Sequence, residues 1–359
     1  MDIEVSKGEF TILEKILYNL IIRRLQMKLF KMANSDSKLK IGMAQISPVW
    51  LDKDRTIEKV INQLKEAAIK HCELLVFGEG LLPGYPFWLE LTNASVFNSK
   101  MQKEIHAHYA RNSIQLEAGE LDQICKFCRE LNIATYLGII ERPKDRGGHS
   151  LYCSLVYIDA LGKIQSVHRK LQPTYDERLT WSPGDGHGLQ VHSLKKFTVG
   201  GLNCWENWMP LPRTALYGLG ENLHIAVWPG SDHNTRDITR FIARESRSFV
   251  VSVSSMMRKQ DFPEDTPYLN EILENAPDIL ANGGSCIAGP DGEWLVEPQI
   301  GKEGLITYEI DFNRVLEERQ NFDPVGHYSR PDVTRLIVNR DRQTVVKYTV
   351  DQNKEEPKG

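Results

Sequence analysis

The sequence lacks a strong charge of either sign and lacks long apolar runs. Its 359 residues include 44 lysines and arginines and 48 aspartates and glutamates, which gives a formal net charge of -4. A chain without a concentrated positive field is a poor candidate for binding nucleic acid or an anionic membrane as its main partner. No apolar stretch reaches the roughly 18 residues that a membrane-spanning helix needs. We therefore expect a small-molecule substrate, with no nucleic acid and no membrane as partner.

Cysteine is sparse, and its spacing excludes a secreted disulfide scaffold. A chain of this length forms a core without disulfide or metal cross-links, so the six cysteines need another explanation. The closest pair, Cys125 and Cys128, lacks the second cysteine pair or the histidine cluster that accompanies a zinc site. We therefore expect free thiols in a reducing, cytoplasmic compartment, and no metal site.

The first 37 residues are interpreted as an N-terminal extension. Apolar residues recur there at helical spacing among cationic ones, which predicts an amphipathic helix. The apolar positions are Leu13, Ile16, Leu17, Leu20 and Ile21. Such a helix can also lie on a membrane surface. The interpretation we favour is that Met27 or Met32 is the true start, with the first residues either a gene-calling artefact or a loosely packed extension.

Short apolar segments alternate with amphipathic helices from residue 40 onward, and the order repeats once. The first half predicts strands at residues 40–46, 74–79, 133–140, 151–158 and 163–169. The second half predicts strands at residues 197–204, 223–228, 249–254, 285–288, 293–296 and 304–310. A helix capped by Asp54 follows the first strand, and a loop rich in proline, glycine and aromatic residues follows the second.

The repeated order indicates how the elements pack. Strands that follow one another without a helix between them indicate antiparallel pairs in a mixed sheet. The two similar halves predict one α/β domain over residues 38–320, in which two sheets pack face to face and helices cover the outside. Residues 321–359 contain Pro324, Gly326 and Pro331 and predict an irregular C-terminal arm with a solvated tip.

Three reactive side chains stand where predicted strands end. They are Glu79, Lys170 and Cys204, and the cysteine directly precedes a turn into a helix. Ligand clefts of α/β folds lie at the carboxyl ends of strands, so we expect the three to converge. A thiol at a strand-to-helix junction also has the N–H groups of the following residues available for an oxyanion. Each residue alone would more often be a surface charge or a buried thiol; their joint placement favours catalysis.

These residues stand in blocks that resemble the nitrilase family of the carbon-nitrogen hydrolase superfamily. The similar blocks are residues 77–86 (FGEGLLPGYP), 168–186 (HRKLQPTYDERLTWSPGDG), 201–210 (GLNCWENWMP), 244–251 (RESRSFVV) and 323–332 (DPVGHYSRPD). The second and last blocks favour the nitrilase branch over the amidases. The resemblance implies a four-layer αββα sandwich, a triad of Glu79, Lys170 and Cys204, and a further active-site glutamate at Glu177. It also implies no cofactor and a homo-oligomer, either a dimer or a spiral assembly.

The implied reaction is the hydrolysis of an organic nitrile to a carboxylic acid and ammonia. Glu79 is expected to act as general base and Cys204 as nucleophile. Lys170 is expected to stabilise the developing negative charge, together with the backbone N–H of Trp205. The covalent intermediates would be a thioimidate and then an acyl-enzyme.

Several features of the expected site have alternative interpretations. Glu177 is expected to hold the lysine or position the substrate, or else to be a structural partner of Arg178 or Arg213. Gly78 and Gly80, where the family has larger residues, are expected to loosen the backbone beside the base. Four tryptophans near strand ends are expected to line the substrate pocket, and each could equally be core packing. They are Trp88, Trp205, Trp208 and Trp228.

Two other functions are kept as alternatives. The first is an amidase or a cyanide-hydrating enzyme of the same fold, which ammonia release from a nitrile and from the matching amide would distinguish. The second is a catalytically idle subunit that serves assembly. Retention of both glutamates, the lysine and the cysteine makes the idle subunit the weaker interpretation.

Overall fold

Two β-sheets form the centre of the structure. The computed structural model describes residues 36–346, so the amphipathic helix expected near residues 13–21 lies outside the described part. The strands are β1 (Lys38–Gln45), β2 (Leu74–Phe77), β3 (Ala134–Glu141), β4 (Tyr152–Ile158), β5 (Ile164–Arg169), β6 (His192–Leu194), β7 (Phe197–Asn203), β8 (Leu223–Trp228), β9 (Phe249–Ser254), β10 (Met256–Arg258), β11 (Ile279–Ala288), β12 (Trp294–Ile300) and β13 (Gly304–Asp311). The α-helices are α1 (Lys53–Ile69), α2 (Trp88–Leu91), α3 (Lys100–Asn112), α4 (Asp122–Leu131), α5 (Pro210–Gly218), α6 (Asp232–Ser246), α7 (Leu269–Asn275) and α8 (Asn313–Arg319).

Both sheets have a parallel centre and antiparallel flanks. The first has the order β13-β1-β2-β3-β4-β5, and β1, β2 and β3 run parallel. The second has the order β10-β11-β9-β8-β7-β6, with β12 paired to β11, and β7, β8 and β9 run parallel. The consecutive strands β3, β4 and β5 are antiparallel, as expected from the absence of helices between them.

The sheets pack face to face and helices cover their outer faces. Alternate residues of a strand face the same side, and Ile41 and Met43 of β1 share one core with Ile225 and Val227 of β8. Helices α1 and α4 pack on the outer face of the first sheet, and α6 packs on the outer face of the second. The expected four-layer αββα sandwich is confirmed.

The structure corrects three local expectations. The cap of α1 is Asp52, whose carboxylate accepts a hydrogen bond of 2.8 Å from the N–H of Arg55, so the expected Asp54 cap is wrong. Asp54 lies in the first turn instead. The strand expected to reach Glu79 ends at Phe77. The segment expected to be a loop after this strand contains α2 and α3.

The chain that follows α8 is irregular through residue 346, the end of the described part. It returns to the body of the molecule, where Arg342 Nη1 donates a hydrogen bond of 2.9 Å to the buried Asp185. The described helices include none with the length and apolar character that crossing a membrane requires.

The carboxyl ends of β2 and β8 meet between the two sheets. The backbone carbonyl of Trp228, the last residue of β8, accepts hydrogen bonds from the N–H groups of Glu79 (3.1 Å) and Ser255 (3.3 Å). These bonds bring Glu79 of the first sheet to the end of the second. Since β7 lies beside β8, the residue that follows β7 lies there as well. That residue is Cys204.

Candidate active site

Glu79 is positioned by a close approach of the two sheets. A Cβ atom on Gly78 would lie 2.2 Å from Ser255 Oγ and 3.0 Å from the carbonyl oxygen of Trp228, so only glycine fits. Gly80 has a φ of +57°, a conformation that glycine adopts readily. The expected loosening of the backbone at Gly78 is wrong, because atoms of the second sheet fill the space that a side chain would take.

Lys170 lies directly after β5, and its ammonium group joins two carboxylates. Nζ lies 2.9 Å from Glu79 Oε1 and 2.7 Å from Glu177 Oε2. The three side chains are at most 1 % exposed. The Lys170 backbone N–H donates a hydrogen bond of 2.8 Å to the carbonyl of Cys153 in the neighbouring strand. Burial of an unpaired charge would be costly, so the cation and its carboxylates depend on one another.

Cys204 begins a short 3₁₀ turn, Cys204–Trp208, at the end of β7. Its φ is +46°, which is unusual for a residue with a side chain and is typical of positions that the surrounding structure must hold in place. Its Sγ and one carboxylate oxygen each of Glu79 and Glu177 all lie within 4.8 Å of one another. The three strand ends therefore converge as the sequence predicts.

The carboxylate of Glu177 accepts a hydrogen bond from Lys170 and also caps the short 3₁₀ turn, Tyr175–Leu179, in which Glu177 lies. Its Oε2 accepts from the Thr174 N–H at 2.6 Å as well as from the lysine, and its Oε1 accepts from the hydroxyl of Tyr85 at 2.9 Å. The alternative partners are engaged elsewhere, because Arg178 Nε donates to the carbonyl of Pro173 and Arg213 pairs with Glu245.

Burial dominates the electrostatics of the site. Burial raises the pKa of Glu79 to about 7, although Lys170 favours its ionised form and Glu177 opposes it. Burial also raises the pKa of the Cys204 thiol well above its usual range. For Lys170, burial acts to lower the pKa, but Cys204 and the two glutamates together raise it. The resting site therefore holds an ammonium, a thiol and a base that ionises near neutral pH.

The oxygen of Glu79 that is free to act as a base can be identified. Oε1 accepts from Lys170, whereas Oε2 is buried and has no hydrogen-bond partner among the described residues. An unpaired buried oxygen is costly, and such groups are typical of catalytic positions. Of the two Glu79 oxygens, Oε2 is therefore the one that no described group holds.

The same donor set could in principle bind a metal ion. Glu79, Glu177 and Cys204 offer two carboxylates and a thiol at ligand spacing. However, the ammonium of Lys170 already contacts both carboxylates at hydrogen-bond distance. The residues thus form a site built around an internal cation, and they do not favour a divalent metal.

Two residues that the sequence analysis missed support the site. Cys153 Sγ lies 3.4 Å from Glu79 Oε1. The carboxylate of Glu206 accepts from the N–H of Leu171 at 2.6 Å and from the N–H of Asn203 at 2.9 Å. One carboxylate thus ties the residue after Lys170 to the residue before Cys204. The spacing Asn-x-x-Glu at the start of this turn is a capping signal that predicts the second contact.

The four tryptophans occupy two kinds of environment. Trp88 packs against Tyr109 in the core, and Trp228 is buried with its Nε1 donating to Ser252 Oγ at 3.3 Å. These are the core positions that the alternative interpretation assigns them. Trp205 and Trp208 are 53 % and 46 % exposed beside the cysteine. Contact of any of the four with substrate stays a prediction.

Comparisons with known proteins show the family to which the chain belongs. Residues 40–320 match the family model described as carbon-nitrogen hydrolase. The chain is 33% identical over 310 residues to an aliphatic nitrilase of Sinorhizobium fredii, a match that covers 86% of this chain and 98% of the relative. It is 35% identical over 309 residues to nitrilase 2 of Arabidopsis thaliana, covering 85% and 90%.

Solved structures share the fold at lower sequence identity. The NitFhit protein of C. elegans aligns with a TM-score of 0.64 and 16% identity, over 86% of this chain and 69% of that one. A carbon-nitrogen hydrolase from Helicobacter pylori aligns with a TM-score of 0.58 and 19% identity, over 84% and 100%. From the family match and the relatives together, the chain belongs to the carbon-nitrogen hydrolase family, in its nitrilase branch.

Proposed function

We propose that this protein is a nitrilase, which hydrolyses an organic nitrile to the carboxylic acid and ammonia. The observation that carries the proposal is the convergence of Glu79, Lys170 and Cys204 in one buried cluster with Glu177. The nitrilase names of the relatives favour a nitrile over an amide as the substrate. No specific observation favours the amidase or the idle subunit.

The proposed chemistry begins at the thiol. Glu79 Oε2 takes the proton of Cys204, and the thiolate attacks the nitrile carbon. The nitrile nitrogen then takes this proton from Glu79, which gives a neutral thioimidate and an ionised Glu79. The ammonium of Lys170 and the backbone N–H of Trp205 stabilise the negative charge that develops on nitrogen. Because the lysine also keeps Glu79 and Glu177 in place, the cation serves both the base and the transition state.

Two water molecules complete the turnover. The first adds to the thioimidate carbon, and loss of ammonia leaves an acyl-enzyme on Cys204. The second attacks the thioester, releases the carboxylic acid and returns the proton to the cysteine. Glu79 is the proton acceptor for each water, since it lies beside the sulfur and has one oxygen free. The net reaction consumes one nitrile and two waters.

We also propose a domain and cellular setting for the enzyme. Residues 38–320 would form the hydrolase domain, 1–37 an N-terminal extension and 321–359 a C-terminal arm. All six cysteines are free, which supports a reducing compartment such as the cytoplasm. The exposed apolar side chains of Trp208, Leu211 and Phe241 support a homo-oligomer, which light scattering of the purified protein would test.

The test of this function is a panel of aliphatic nitriles, arylacetonitriles and the matching amides, assayed for ammonia. We expect ammonia from nitriles and slower or absent release from the amides. Cys204→Ala should abolish release, and mass spectrometry of the wild type should find a covalent adduct on this cysteine. Cys125→Ala, which removes a half-buried thiol from α4, is the control and should keep full activity. Amide turnover exceeding nitrile turnover, or more than a few per cent activity in Cys204→Ala, would contradict the proposal.

A further inference from the structure

We infer that Glu221, His224 and Asn207 form a buried relay that aims the oxyanion-binding N–H of Trp205. The inference rests on the proposed function and adds positioning residues to it. His224 lies on β8, and the side chains of Glu221 and His224 are 0% exposed. His224 Nδ1 lies 3.0 and 3.1 Å from the two oxygens of Glu221, and its Nε2 lies 2.8 Å from Asn207 Oδ1.

The orientation of the Asn207 amide is determined by two carbonyl groups. Its Nδ2 lies 2.8 Å from the carbonyl oxygen of Cys204 and 3.3 Å from that of Leu202. A carbonyl oxygen only accepts hydrogen bonds, so the NH₂ group must face both of them. The amide oxygen then necessarily faces His224 and accepts a hydrogen bond from its Nε2.

His224 therefore donates to Asn207 through Nε2, because an amide oxygen only accepts hydrogen bonds. Its Nδ1 lies against both oxygens of the Glu221 carboxylate, so each ring nitrogen of the buried imidazole has a polar partner. These contacts at both nitrogens fix the orientation of the ring and hold Asn207 in register with β8.

The relay ends on the peptide that carries the oxyanion donor. The carbonyl of Cys204 and the N–H of Trp205 belong to one planar peptide group and point in opposite directions. Holding the carbonyl with Asn207 therefore directs the N–H away from Asn207 and toward the sulfur side. The Trp205 N–H favours ionisation of the Cys204 thiol, which agrees with that direction.

The strained backbone of Cys204 explains why such support is needed. A φ of +46° persists only where surrounding contacts hold it. Asn207 is itself held at its backbone carbonyl, which accepts from Arg213 Nη1 at 2.7 Å. Glu221 is held at its carbonyl by Arg319 Nη2 at 2.6 Å. Both ends of the relay are thus fixed to other elements, and the imidazole joins them beneath the nucleophile.

Two variants that differ in one donor position test the inference. A glutamine at 224 places its amide nitrogen where His224 Nε2 lies, whereas an asparagine is too short to reach Asn207. Both are made in the Glu221→Gln background, so that neither buries an unpaired carboxylate. We expect His224→Gln to keep kcat within about threefold of Glu221→Gln alone. We expect His224→Asn to lose kcat on the order of tenfold or more, with KM within about twofold, because an oxyanion donor acts in the transition state.

A reversible aldehyde inhibitor provides a second measurement, because its adduct on Cys204 carries an oxyanion but needs no C–N bond. Its Ki should rise in His224→Asn by the same factor as kcat falls, while thermal unfolding of the two double variants stays similar.

Asn207→Asp, which keeps the acceptor for His224 and removes the donor to Cys204, should behave like His224→Asn. Equal kcat and equal aldehyde Ki in the two His224 variants would overturn the relay. If the wild type releases no ammonia from nitriles, the proposed function fails, and aldehyde binding still decides the relay.

Discussion

The thiol of Cys153 lies 3.4 Å from Oε1 of Glu79, and both groups are buried. A thiol that donates to a carboxylate stabilises its ionised form. The carbonyl of the same cysteine accepts from the Lys170 N–H, so one residue of β4 contacts the proposed base and the strand end that carries the cation. This arrangement makes the ionisation of Glu79 dependent on a second cysteine.

Replacing Cys153 by alanine should shift the acid limb of the pH–kcat/KM profile to higher pH. Burial raises the pKa of Glu79 to about 7, and the Cys153 thiol lowers it. Without that donor the pKa rises further, so the base is ionised only at a more alkaline pH. Cys153→Ser keeps a donor and should leave the limb near its wild-type position. An acid limb that stays in place in Cys153→Ala would show that this contact has no influence on the base.

Glu177→Gln should shift the same limb in the opposite direction. The negative charge of Glu177 raises the pKa of Glu79, so its removal lowers that pKa. The variant should also lose kcat, because a neutral amide oxygen is a weaker acceptor than the carboxylate oxygen Oε2 that holds both Lys170 and Thr174. Activity measured from pH 5 to pH 9 separates the two effects. A limb that moves upward would mean that Glu177 acts on Glu79 chiefly through the lysine.

The proposed catalytic cluster was predictable because each of its main residues lies within two residues of the end of a strand. Glu79, Lys170 and Cys204 needed only the rule that carboxyl ends of strands meet at one edge. Cys153 was not predictable in this way, since it lies near the beginning of β4 and not after the end of a strand. Its place beside Lys170 follows from the register of β4 and β5, in which Ser154 is opposite Arg169. Sequence spacing alone does not determine that register.

Two helices between the second and third strands, α2 and α3, were missed for a related reason. α3 (Lys100–Asn112) buries only Ile105 and Tyr109 among its described side chains, so its apolar period is weak. α2 is a single turn that follows a proline-rich segment. Longer helices such as α1 bury a full apolar face and were recognised from their period.

Asp52→Ala should destabilise the protein by about 1 kcal/mol, the usual cost of removing an N-cap. The Asp52 carboxylate accepts from the N–H of Arg55, whereas Asp54 only adds negative charge to the first turn of α1. Asp54→Ala, the matched control, should cost a few tenths of a kcal/mol. Urea unfolding of the three proteins measures the difference. Equal destabilisation by both substitutions would restore Asp54 as a cap.

Lys170→Arg should lower kcat on the order of a hundredfold, the scale of losing one oxyanion-stabilising donor. The ammonium lies 2.9 Å from Glu79 and 2.7 Å from Glu177 in a fully buried space, with the Trp181 ring centre 5.5 Å away. A guanidinium keeps the charge, but its planar width does not fit between two carboxylates placed for a point charge. Lys195→Arg is the control, because Lys195 pairs with Glu73 away from the site and should tolerate the change. Ammonia release is measured beside thermal unfolding for both variants. A folded Lys170→Arg enzyme within tenfold of wild type would show that charge alone is sufficient, and the role proposed for the ammonium geometry would be wrong.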